Sequence, residues 1–104
     1  MKALPANVRP YQRTPEFNAA TIPAGLLRDH RTKPGVWAVI HVLEGTLDYL
    51  IAEPEAEHHV LTPQYPGIVE PTMRHAVHAP GEVRFYVEFH AVPVSEPPTQ
   101  DATT

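Results

Sequence analysis

Residues Val36–Ile51 read VWAVIHVLEGTLDYLI. The first eight, VWAVIHVL, are nearly continuous in apolar character, which is the pattern of a strand covered on both faces. The run stops at Glu44-Gly45 and resumes as TLDYLI. Glycine is scarce, five residues in 104, so one set between two apolar runs reads as punctuation. LEGT is expected to be a hairpin turn, with Gly45 supplying a positive φ. A second stretch, VRFYVEFH at Val83–His90, alternates with period two. Val83, Phe85, Val87 and Phe89 share one face; Arg84, Tyr86, Glu88 and His90 share the other. Alternation alone leaves open which face lines the interior. Between these stretches APGE, Ala79–Glu82, fits a type II turn with Pro80 setting φ and Gly81 in the left-handed position.

The rest of the chain extends this pattern. Thirteen prolines are spread from Pro5 to Pro98, and they interrupt nearly every window that could hold an amphipathic helix. Short strands are expected over 24–30, 36–44, 46–52, 58–62, 67–70, 75–78 and 83–92. Many short strands between turns indicate an all-β sandwich or barrel. Residues 1–16 read as an extended arm and 17–93 as the domain proper. Residues 94–104, poor in large apolar side chains, read as a mobile tail.

Composition narrows the function classes. One domain fits the length. With no cysteine, disulfides and thiolate zinc sites are excluded. Eight Lys and Arg against twelve Asp and Glu give a net charge of −4 with no basic stripe, so nucleic acid is not an expected partner. No apolar run approaches the ~20 residues that span a bilayer. No apolar segment follows Met1-Lys2, so no signal peptide is expected and the default location is the cytoplasm.

VIHVLEGTLDYL resembles the strand–Gly–strand core of the first cupin motif. PGIVEPTMRHAV resembles the second, in which a His after a Gly/Pro turn starts a strand. More specifically, TPEFN, then PAGLLRDHRTKPGVW, then RHAV and VRFYVEF are similar to a small cupin-like family related to tellurite resistance protein B. That family includes stand-alone bacterial proteins of about this length and a domain fused to methyltransferases. The resemblance spans roughly Thr14 to Pro93. It implies a cupin-like double-stranded β-helix, a small jelly-roll barrel, and a setting in toxic-oxyanion resistance or stress response. It allows one divalent metal (Zn, Fe or Ni). The general cupin cage of three His and one Glu is not intact: the first-motif region holds only His30, and Ala38 stands near the place of the Glu.

Within that resemblance His30 and His75 are the candidate metal ligands, against the plainer reading of ordinary loop or pocket histidines. Imidazole suits Zn, Fe and Ni alike. Glu88 or Tyr86 would complete the site if the polar face of VRFYVEFH turned inward. Arg28 and Lys33 would draw an anionic ligand, against the commoner reading of surface charge. Trp37 reads as pocket or core, core being favoured. EPEAEHHV at 53–60 has the composition of a cation site but reads as a solvated turn, since adjacent His58 and His59 point to opposite faces of a strand. The leading expectation is a metal or small anionic molecule bound in the barrel. The alternative is a non-catalytic dimeric sensor or accessory module acting through its outer sheet. A homodimer is expected, because the two-sided apolar strand needs a cover.

Overall fold

The computed structural model describes residues 1–28 and 30–93; the tail expected over 94–104 lies outside the described residues. Eight strands follow in chain order: β1 (Arg9–Arg13), β2 (Phe17–Asn18), β3 (Trp37–Gly45), β4 (Leu47–Ile51), β5 (Glu57–Leu61), β6 (Gly67–Val69), β7 (His75–His78) and β8 (Val83–Ala91). One sheet runs β1-β8-β3-β6, with β2 also pairing with β8; the other runs β5-β4-β7. Every ladder is antiparallel. Among the described residues the ladders leave open edges and do not close into a barrel. Among the described residues no helix is long and apolar enough to cross a membrane.

The two sheets bury one core between them. β3 turns Ala38, Ile40 and Val42 inward, β4 turns Leu47, Tyr49 and Ile51, and β8 turns Val83, Phe85 and Val87; Leu61, Val69, Met73 and Val77 complete the cluster. The inner face of β8 is therefore its apolar one. The Tyr49 hydroxyl is satisfied inside the core by donating to the Ile68 carbonyl at 2.8 Å. From β3 to β8 the strands fall within two residues of the expected positions. The N-terminal arm contributes β1, laid along the outer half of β8 in the register Arg9↔Ala91 to Arg13↔Glu88.

Three local expectations are corrected. The strand expected over 24–30 is instead a single 3₁₀ turn, Ala24–Leu27, closed by Leu26 N–H donating to Pro23 C=O at 2.9 Å. LEGT is not a hairpin, because β3 and β4 belong to different sheets. The chain turns a corner there: the register slips between Val42 and Glu44, so Leu43 forms a bulge, and such bulges bend a strand away from its sheet. Gly45 does take positive φ, 82°. The type II turn is not at Pro80-Gly81, since Gly81 is not in the left-handed region. It is at Lys33–Val36, with Pro34 second, Gly35 third at φ 79°, and Val36 N–H donating to Lys33 C=O at 3.0 Å.

The corner gives a direct test. A Cβ on Gly45 would run into the Glu82 carbonyl oxygen, and a β-branched residue at this φ is a steric outlier. Gly45→Val is expected to lower stability by about 1–3 kcal/mol, read from urea or thermal unfolding. A wild-type transition would show that the corner does not have this geometry.

Candidate functional site

His75 is the first residue of β7 and lies opposite His30, which enters this edge as a single bridge. The two exchange both main-chain hydrogen bonds: His30 N–H donates to His75 C=O at 2.8 Å, and His75 N–H donates to His30 C=O at 3.0 Å. Directly opposed residues in an antiparallel pair project to the same side, so the ladder brings together two imidazoles 45 positions apart in sequence. Their rings are nearly perpendicular, with centroids 5.1 Å apart. The Tyr49 ring stands edge-on to His75 at 5.9 Å.

Hydrogen bonding orders the pair. His75 Nδ1 is 3.1 Å from the Met73 carbonyl oxygen; a carbonyl only accepts, so Nδ1 carries the proton and Nε2 of the neutral ring is an acceptor. His30 Nδ1 is 3.4 Å from that Nε2, a long contact in which His30 Nδ1–H is the donor. The chain of donors then leaves His30 Nε2 with a free lone pair. Burial holds the pKa of both histidines below the ordinary imidazole value. At His75 the Met73 carbonyl opposes that shift, and charge on His30 would add to it. The pair is neutral at neutral pH.

These rings form part of the wall of a cavity of about 220 Å³. Its floor is the core itself: Ala38 and Ile40 from β3, Val69 from β6, Val77 from β7, Phe85 and Val87 from β8. Phe17, Phe89, Thr14 and the 3₁₀ turn, through Pro23, Gly25 and Leu26, form the rest. No charged side chain lines it among the described residues. Thr32, also in the wall, is occupied: its hydroxyl donates to Val36 C=O at 2.8 Å. Next to it Thr72 sits at φ 62°, a costly conformation for a β-branched residue. Its N–H donates to Thr32 C=O at 3.2 Å, and Arg31 donates to its carbonyl at 3.0 Å. These bonds tie the chain entering at His30 to the chain leading into His75.

Of the sequence-derived candidates, the fold unites His30 and His75 and places the others elsewhere. Arg28 and Lys33 are exposed and do not line the cavity; Lys33 borders a shallow groove on the far side of His30, with Tyr11, Gln12 and Arg31. Trp37, Tyr86 and Glu88 lie on the outer face of the five-stranded sheet. There Glu88 Oε1 accepts from His90 Nε2 at 2.9 Å and from His41 Nε2 at 3.3 Å. His41 stacks on Tyr86, and Arg13 lies 4.5 Å above the Tyr86 ring. His58, in β5 rather than a turn, is exposed and contacts Asp48 at 3.1 Å. Sequence reasoning missed Phe17, Leu26 and Phe89 as cavity residues, and the Met73 carbonyl that sets the tautomer. Phe85 and Phe89 were at least visible as one apolar face.

The donor set can be tested against a metal. Two nitrogen ligands at ~2.0–2.1 Å from a tetrahedral ion are themselves about 3.4 Å apart, which is the His30 Nδ1 to His75 Nε2 spacing. Two corners therefore match. A resident catalytic zinc takes three protein ligands, and among the described residues no group of three His, Asp or Glu side chains could hold a metal. Among the described residues the pair supplies two of the three protein ligands that a catalytic zinc takes.

The TehB-like domain family matches residues 12–87, and the chain belongs to that family. Among solved structures it is similar to a protein from E. coli (strain K12), with 25% identity and a TM-score of 0.81 over 90% of this chain and 100% of that one. It is also similar to TehB from Haemophilus influenzae, with 24% identity and a TM-score of 0.75 over 84% of this chain. The chain matches 32% of that TehB chain, and the likeness at this identity shows the shared fold. No curated protein matches.

A depressed histidine pKa means that the neutral form is favoured by folding. The stability it contributes is present above the unfolded value of 6.5 and is lost as pH falls through that value toward the folded one. The urea midpoint is expected to drop between pH 7.5 and 5.5, and His75→Phe is expected to flatten that drop. Carboxylates held low, such as Glu57 and Glu88, act below about pH 4.5, and the five histidines outside the pair are common to wild type and variant, so the difference between the two isolates His75. An equal drop in wild type and variant would show that the pair is not buried neutral.

Proposed function

We propose that this TehB-like domain is a cupin-like binding module that holds a small molecule in the His30–His75 cavity. Its setting would be tellurite-type toxic-oxyanion resistance or stress response. One observation carries the reading. His75 is buried against carbon and His30 stands half-buried beside it, at a cost that a hydrophobic filling would have avoided. Together they form the polar part of the wall of a space of about 220 Å³. Ligand sites have this make-up, apolar walls with a few placed polar groups. A divalent Zn, Fe or Ni is the competing occupant, since two corners of its coordination match. An anionic ligand would meet Lys33 and Arg28 only outside the cavity.

A second reading rests on the outer sheet. His90 is buried, its Nε2–H is committed to Glu88, and its Nδ1 has no hydrogen-bond partner among the described residues. Buried acceptors are normally satisfied, and this one lies beneath an outer face, with Trp37 and Tyr86, that a second copy of the chain would cover. The module would then be a homodimer, working as a sensor or accessory unit.

Two measurements on protein purified without a His tag separate these readings. Native mass spectrometry is expected to show an organic adduct in wild type that is lost in His75→Ala, with elemental analysis giving well under one metal per chain. Stoichiometric metal, lost in either His30→Ala or His75→Ala, would replace the small-molecule reading by the metal one. Light scattering is expected to give a dimer mass, and a monomer throughout the micromolar range would remove the second reading.

A further inference from the structure

We propose that the cavity's ligand is uncharged, carbon-rich, of about one-ring size, and carries a single hydroxyl or N–H donor. This rests on the cavity being the binding site and adds what it selects. Size sets the first limit: an apolar cavity of ~150 Å³ takes benzene, and this one measures about 220 Å³, room for a ring and a small substituent. Charge is the second. No Asp, Glu, Lys or Arg lines the space among the described residues. An ion moved into it would lose its hydration with nothing to replace it. The third is hydrogen-bond polarity. The Met73 carbonyl fixes the proton on His75 Nδ1, His75 Nε2 accepts a hydrogen bond from His30 Nδ1–H, and the nitrogen that remains is an acceptor, His30 Nε2, on a ring that lines both this cavity and the groove beside Lys33. Thr32, the wall's buried hydroxyl, already donates to Val36. The pair therefore asks for a donor from the ligand, and a ligand offering only acceptors gains nothing there.

Three probes of nearly equal shape separate these requirements: benzene, phenol and benzoate, titrated at pH 8, where phenol is neutral. Binding is followed by calorimetry and by the ring signals of His30 and His75 in nuclear magnetic resonance. Phenol is expected to bind about fivefold tighter than benzene, the usual return on one hydrogen bond. Benzoate is expected to bind at least ~100-fold weaker than phenol. In His30→Leu the preference for phenol over benzene is expected to vanish while benzene still binds. That readout isolates the hydrogen bond and shows at once that the variant keeps its cavity. Benzoate, tellurite or Zn²⁺ shifting the two rings as strongly as phenol would overturn the ligand class and leave the cavity as the site. No shift of either ring with any of these probes would overturn both.

Discussion

The antiparallel pairing of β3 with β8 is the constraint on which the rest of the molecule depends. These two strands are the longest, and they sit side by side within the larger sheet. Their register, Ala38↔Phe89, Ile40↔Val87 and Val42↔Phe85, puts apolar side chains opposite one another on a single face. Because side chains alternate with period two, fixing one inward residue fixes the rest. A slip of one position would bury Glu88 and Arg84 and expose Phe85. The same register decides what the cavity is made of, since its floor is largely the inner face of this pair. It also decides what the opposite surface is, a row of Tyr86, Glu88 and His90 facing Trp37 and His41.

Much of this was legible in the sequence, and the limits have physical causes. β3 and β8 announced themselves by a continuous apolar run and by clean alternation, because each buries a long face. The 3₁₀ turn at Ala24–Leu27 was read as a strand because four residues are too few to show a period, and Leu26 and Leu27 are as apolar as any strand. Gly45 was correctly read as a left-handed residue but assigned to the wrong connection. Positive φ serves a sheet corner as well as a hairpin, and only the pairing partners tell them apart. Pro34-Gly35 and Pro80-Gly81 carry the same dipeptide, yet one alone adopts the type II geometry. The meeting of His30 with His75 came from family resemblance; nothing in their spacing places them together. Tyr86 and Glu88 were tied to the choice of inner face on β8, which the opposing strand made.

The two faces of β8 have opposite electrostatic characters. Inside, desolvation dominates, and the histidines stay neutral and ordered by a single carbonyl. Outside, Glu88 lies between two imidazoles and its carboxyl pKa is held low: burial pushes it up, but hydrogen bonds from His90 and His41 outweigh that. Such half-exposed pairs contribute little to stability on their own. Arg84, held between Glu16 and Glu44 at 2.7 and 3.1 Å, shows the same pattern at the end of the strand. The apolar interior therefore supplies most of the driving force for folding.

The main-chain pair between His30 and His75 has a further consequence, for the order in which the molecule assembles. Everything from β3 to β6 lies between the two residues in sequence. Joining them closes a long loop, whose entropy is repaid only when the intervening strands have found their partners. β3 and β8 pair over a comparable separation, so both closures slow folding, but the 30–32 segment is held to β7 by a single bridge where β3 and β8 share a full ladder. A chain that has paired β3 with β8 but not yet seated the 30–32 segment along β7 would already have most of its sheet structure and no formed cavity. The cavity would therefore form last during folding and be the first feature lost on partial unfolding. Opening at this bridge would then damage the fold well before the core comes apart.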